Sequence, residues 1–208
     1  MPERKRGAKS PAIEDGSTVT GLDWESEDIS GRSFTRVTFV GCDMTELRNV
    51  GATFTECIFQ RVKLNCSAHT DAAFVNCRFS SCNLFDSRFD GCKMVGSTFL
   101  GCGLELLKVE GGNWSHVGLR EADLSSASFG DLRMLEADLT KANCEGATLR
   151  GVELGESSFA RAKLDGCDLR GSEIGAIDLE DVALKGAIVT PRQAVMIALA
   201  LGLDVRDD

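Results

Sequence analysis

Residues 121–125 read EADLS, 136–140 EADLT, 141–145 KANCE, 161–165 RAKLD and 166–170 GCDLR. In each, the second residue is small and the fourth is Leu or Cys. Counting outward in steps of five from Leu124 gives Phe129, Met134, Leu139 and onward to Leu184 in one direction, and Leu119, Trp114, Val109 and back to Trp24 in the other. Of these 33 positions 31 are apolar, where a chain that is 43% hydrophobic would place about 14 by chance. Only Asn49 and His69 break the series, and no insertion or deletion disturbs the count. A period of five fits neither the 3.6 of a helix nor the 2.0 of a flat strand, so the chain must bend regularly around an interior.

Two residues before each large position stands a second series: Cys42, Ala52, Cys57, Ala72, Cys77, Cys82, Ser87, Cys92, Ser97, Cys102, Ala122, Ala127, Ala137, Ala142, Ala147, Ser157, Ala162, Cys167 and Ser172. Large and small alternate because a narrow tube has room for one bulky group per wall. Leu107, Gly112, Leu132 and Ile177 strain this rule, and a bulge or slight bend is expected within 103–118.

With this pattern the chain resembles the pentapeptide-repeat family over about residues 22–189. The resemblance implies an all-β fold, a right-handed quadrilateral β-helix with one pentapeptide per wall and four walls per coil. Residues twenty apart should then stack, Phe39 on Phe59, Phe79, Phe99, Leu119, Leu139, Phe159 and Leu179, and Phe34 on Phe54 and Phe74. About eight coils at roughly 4.8 Å each would make a rod about 40 Å long. The expected organisation is a disordered N-terminal arm at 1–20, the β-helix at 21–189, and a C-terminal helix and tail at 190–208.

The helix is read from TPRQAVMIALALGLDV (190–205). Thr190 suits the N-cap, Pro191 the first helical position, Gln193 a capping box and Gly202 the stop. Residues 194–201 are all apolar, more than one buried face needs. The expectation is that Ala194, Ile197, Ala198 and Leu201 cap the rod, while Val195, Met196 and Leu199 meet the same helix of a two-fold mate, making a homodimer.

Composition excludes several classes of function. Nothing spans a membrane, and the basic start MPERKRGAKSP, with Arg4, Lys5, Arg6 and Lys9, lacks the apolar core of a signal peptide, so a cytoplasmic protein is expected. A formal charge of −9 argues against direct nucleic-acid binding and favours a basic partner. Seven of nine cysteines occupy the small inward series and Cys144 the large one, spacings unlike those of zinc sites. Cys57/Cys77 and Cys82/Cys102 would stack within disulfide range, yet in a reducing cytosol they read as buried thiols, with Cys66 alone outward. Asn49 and His69, twenty apart, read as a hydrogen-bonded pair inside the tube. No nucleophile–base pair and no phosphate loop is present, so no enzyme, metal or cofactor is expected.

Charge is unevenly spread. Between Arg32 and Arg120 stand 10 bases and 8 acids; between Glu121 and Asp181 stand 14 acids and 6 bases, a net of −8. Asp123, Asp138, Asp168 and Asp178 directly precede a large residue, where the repeat itself favours Asp. Glu136, Glu153, Glu156 and Glu173 are not demanded by the repeat and share a wall with only Arg133. Within the family, CKMVGSTFLGC (92–102), LDGCDLRGSEI (164–174) and QAVMIALALGL (193–203) are similar to its mycobacterial fluoroquinolone-resistance branch. That likeness implies a DNA mimic that binds DNA gyrase, a type II topoisomerase, inhibiting it or protecting it from quinolones or a gyrase-poisoning toxin. The plasmid-borne branch carries projecting loops, for which this unbroken register leaves no room. The gyrase-binding surface would comprise Glu136, Glu153, Glu156 and Glu173 with Asp138 and Asp178, and the dimer interface Val195, Met196 and Leu199. The alternative is a structural interaction module with an unrelated partner.

Overall fold

The computed structural model describes residues 13–178 and 181–206. Arg4, Lys5, Arg6, Lys9 and Leu179 lie outside the described residues. Fourteen three-residue strands follow in order: β1 (Thr18–Thr20), β2 (Ser33–Thr35), β3 (Thr38–Val40), β4 (Arg48–Val50), β5 (Thr53–Thr55), β6 (Ile58–Gln60), β7 (Ala68–Thr70), β8 (Ala73–Val75), β9 (Arg78–Ser80), β10 (Arg88–Asp90), β11 (Thr98–Leu100), β12 (Lys108–Glu110), β13 (Ser128–Gly130) and β14 (Thr148–Arg150). They form three parallel sheets, β1-β3-β6-β9-β11, β4-β7-β10-β12-β13-β14 and β2-β5-β8, and isolated parallel bridges such as Asp43↔Lys63 and Lys63↔Asn83 make the fourth wall. Every pairing joins residues twenty apart, as in Phe39↔Phe59 and Phe89↔Val109. The molecule is a quadrilateral β-helix closed by one C-terminal helix, α1 (Pro191–Ala200).

The square section follows from the corners. The residue two after most large positions takes a left-handed backbone: Arg36 (φ 54°), Glu56 (φ 55°), Arg61 (φ 52°) and Glu136 (φ 52°) among others, with glycine at many equivalent places. A positive φ costs a side chain of this kind free energy. It persists because most corner amides donate to the coil above, Arg36 to Thr55 and Glu56 to Val75, both at 2.8 Å.

Every described large position from Trp24 to Ile174 is buried, and Leu184 is partly covered. The rings stack along the axis as expected: Phe34, Phe54 and Phe74 with centroids 4.9 and 4.8 Å apart, and Phe39, Phe59, Phe79 and Phe99 at 5.2, 4.6 and 4.7 Å. Offset contacts of this kind contribute about 0.5–1.5 kcal/mol each beyond burial. All nine cysteines are free thiols, with Cys66 exposed. Five of the inward ones donate to a carbonyl one coil back, among them Cys77 to Phe54 and Cys82 to Phe59, both at 3.3 Å. Burial pushes Cys92 up to about 11 and Cys167 up to about 12, which keeps them protonated and unreactive.

Asn49 and His69 make a closed polar chain across the core. The Ala52 amide donates to Asn49 Oδ1 at 3.0 Å, and Asn49 Nδ2 donates to His69 Nδ1 at 3.1 Å. His69 Nε2 donates to Ser67 Oγ at 3.0 Å, Ser67 to Ser87 Oγ at 3.3 Å, and Ser87 to the Leu64 carbonyl at 2.7 Å. Because the Asn49 amide can only donate, His69 carries its proton on Nε2. Burial drives its pKa down to about 3, so it is neutral.

Three expectations need correction. The coils begin before residue 21, since β1 pairs with β3 and the Gly16 amide donates to Thr35 at 2.9 Å. Residues 103–118 hold no bulge in register, because Arg88↔Lys108 and Lys93↔Asn113 keep the twenty-residue step. The strain is local to Gly112, at φ 87°, where a β-carbon would lie 2.1 Å from the Cys92 oxygen. Ile177, expected to strain the rule at a small site, is buried as Leu107 and Leu132 are, and the wall just before it is a 3-10 turn at Ile174–Ala176.

Candidate functional site

The acidic surface and the C-terminal helix meet at one end of the rod. Along one wall the ladder Asn113↔Arg133↔Glu153 leads towards Glu173, whose amide donates to the Val152 oxygen at 3.0 Å. Beside it the corner ladder of residues 116, 136 and 156 is joined by backbone bonds one coil apart, His116 to Leu135 at 2.8 Å and Glu136 to Gly155 at 2.9 Å. The repeat therefore brings Glu136, Glu153, Glu156 and Glu173 together, all exposed.

They are not equivalent. Glu136 lies 3.4 Å from His116 Nδ1, a neighbour the sequence reading missed, and Glu153 lies 3.9 Å from Arg133. Glu156 and Glu173 have no ion-pair partner among the described residues. Asp138 behaves as a turn residue: half-buried, it accepts from the Thr140 amide at 2.9 Å. Asp123 does the same for Ser125, which holds its carboxyl below the usual range, and Asp168 is bound by Arg170 at 2.7 Å with the same effect. Asp178 is exposed, forty residues after Asp138 at the same place in the repeat.

Helix α1 begins as expected, with Thr190 and Gln193 forming a capping box and Pro191 in the first turn. Its seating is rotated from the expected stripe. Ile197 packs on the core and Ala198 is half-covered, but Ala194 is exposed and Leu201 is 56% exposed. The anchor is polar. Gln193, buried, donates from Nε2 to the Leu169 oxygen at 2.7 Å and the Ser172 oxygen at 2.9 Å, while its Oε1 accepts from the Thr190 amide at 2.8 Å. A search for apolar periodicity passes over such a residue; the signal available was its position in the capping box. Val195 (43%), Met196 (45%) and Leu199 (55%) stand exposed, and Ile188, Leu203 and Val205 extend the uncovered apolar surface.

Between α1 and the last regular coil lies a groove of about 850 Å³, lined by Glu156, Glu173, Ile174, Gly175, Arg192 and Met196 among others. Gly155 forms part of its wall, and Glu173 Oε2 would sit 3.7 Å from a β-carbon there. Among the described residues no group of three or more His, Cys, Asp or Glu is placed to hold a metal ion, and no helix is long and apolar enough to cross a membrane.

The family model described as "Pentapeptide repeats (8 copies)" matches residues 118–155 and 137–175. Among solved structures, the chain is similar to QnrB1, a plasmid-mediated fluoroquinolone resistance protein. For one trypsin-treated variant of QnrB1 the TM-score is 0.77 at 22% identity, covering 92% of this chain and 96% of that one. For full-length QnrB1 the TM-score is 0.68 at 21% identity, covering 91% and 99%. No curated protein matches by sequence. The five-residue period, the twenty-residue stacking and the profile match over residues 118–175 agree that the chain is built of pentapeptide repeats, in a fold similar to that of QnrB1.

Proposed function

We propose that the protein is a DNA mimic that binds DNA gyrase, inhibiting it or shielding it from quinolones or a gyrase-directed toxin. The observation that carries this reading is the net charge of −8 over residues 121–181, held on rigid coils beside an exposed apolar helix. Duplex DNA presents one negative charge per about 1.7 Å along a rod, and an acidic β-helix offers a basic DNA-binding surface the same sign in an elongated shape. Two copies joined through Val195, Met196 and Leu199 would put their acidic halves together in the middle of a longer rod. The likeness in fold to QnrB1, a plasmid-mediated fluoroquinolone resistance protein, supports the link to quinolones.

The test is a supercoiling assay with the purified chain, alone and with a fluoroquinolone, alongside direct binding to gyrase. Inhibition of supercoiling, or retained supercoiling in the presence of drug, is expected. Reversing Glu136, Glu153, Glu156 and Glu173 to Lys should weaken binding without lowering the thermal midpoint, and raised salt should weaken the wild type. Binding indifferent to both changes would favour an interaction module with an unrelated partner.

A further inference from the structure

The groove under α1 differs from the rest of the acidic wall in three respects. Its two carboxylates, Glu156 and Glu173, lack ion-pair partners among the described residues, whereas Glu136 and Glu153 one coil earlier have His116 and Arg133. Arg192 lines the groove yet makes no ion pair among the described residues, so it does not neutralise them. The walls also hold fixed positions. Ser157 donates to the Met134 oxygen at 2.8 Å and accepts from the Ala137 amide, Ser172 donates to the Leu149 oxygen at 2.7 Å and accepts from the Val152 amide, and Gln193 ties the helix to the coil. The lining pairs these carboxylates with apolar surface from Ile174 and Met196.

We infer that this groove receives an arginine side chain of the partner protein, its stem along Ile174 and Gly175 and its guanidinium on Glu156 and Glu173. An arginine fits better than a lysine because its planar fork can serve two carboxylates while its weakly hydrated face tolerates an apolar wall. The inference rests on the reading that the acidic face is the binding face, and assigns the contact to one place on it. A carboxylate already paired gives up its partner when a new cation arrives; Glu156 and Glu173 do not.

The test uses the full chain and two probes, N-acetyl-leucyl-arginine amide and its citrulline counterpart, followed by two-dimensional NMR. Saturable shifts confined to residues 155–157, 171–175 and 190–196 are expected with the arginine probe and not with citrulline. E156Q/E173Q should weaken that binding at least about tenfold, and E136Q/E153Q less than about threefold. Gly155→Met should block the groove with both carboxylates retained. Its backbone is outside the left-handed region, and the nearest obstacle to a β-carbon is the flexible tip of Leu135 at 3.2 Å. Shifts that are absent, spread over the rod, or unchanged in E156Q/E173Q would overturn the inference. Gyrase binding separates the two readings. A wild type that takes the arginine probe but not gyrase leaves the groove standing and removes gyrase. Equal gyrase binding by wild type and E156Q/E173Q does the reverse.

Discussion

Gln193 Nε2 lies 2.7 Å from the carbonyl oxygen of Leu169, so a side chain of the helix takes the place of the next coil at the end of the rod. A β-helix must stop somewhere, and its last carbonyls need donors. One glutamine serves two of them and the helix N-terminus together. Gln193→Ala should strand these groups at a cost of about 1–3 kcal/mol. Limited proteolysis should then cut between residues 186 and 192 far faster, with the β-sheet signal unchanged. Wild-type resistance in that linker would mean that Ile197 alone seats the helix.

The ring ladder gives a sharper test of register. Phe79 is fully buried between Phe59 and Phe99, whereas Arg78 beside it is exposed. Phe79→Ala should cost about 3–5 kcal/mol, and Phe79→Asp should unfold the central coils because it also buries a charge. Arg78→Ala should shift the thermal midpoint by no more than about a degree or two. Similar midpoints for the two positions would refute the stacking.

His69 makes stability depend on acid. Its folded pKa is about 3 against an ordinary 6.5, so the unfolded chain binds a proton that the folded chain refuses. Above pH 6.5 both states are neutral and this contribution is fully present. It is lost as pH falls from 6.5 towards 3. His69→Phe should flatten the fall in thermal midpoint between about pH 6.5 and 4, while lowering the whole curve because the Asn49 amide loses its acceptor. A parallel displacement of the curve, with its slope kept, would assign the acid sensitivity to the carboxylates.

The exposed face of α1 bears on assembly. Val195 and Leu199 changed together to Glu should place like charges against their symmetry mates and leave a folded monomer with much weaker gyrase inhibition. Light scattering decides the matter: a double variant that stays dimeric, or a wild type already monomeric, removes the two-fold rod.

Most of the barrel was legible because a single rule, one large residue in five, repeats without interruption from Trp24, and the stacking of Phe39 on Phe59 follows from arithmetic. The same rule placed Asp138 where the repeat itself favours Asp, and put the four glutamates close together. What it could not see were events outside the repeat. His116 and Glu136 are twenty apart and so stack by the rule, but a count of apolar positions gives no weight to the ion pair their side chains make at the corner. The rotation of α1 was misjudged because apolar stripes at 100° are ambiguous when eight consecutive residues are apolar, and the deciding contact came from Gln193. The 3-10 turn at Ile174–Ala176 lies where a periodic count registers only a large residue, Ile177, at a small site, and the same count at Leu107 and Leu132 goes with a regular wall.

The twenty-residue step also makes the molecule a device with a phase. Removing a whole coil would shorten it by about 4.8 Å and leave every wall facing as before. Removing one pentapeptide would keep large on large inside, yet turn everything beyond the cut by about a quarter of a revolution, since each pentapeptide forms one of four walls. Excising residues 101–105 would thus aim the glutamate wall and the groove a quarter-turn away from their present bearing relative to the N-terminal coils. Direction and composition can be varied separately in such a rod, and a partner that grips both ends would detect the difference where a partner that reads charge alone would not.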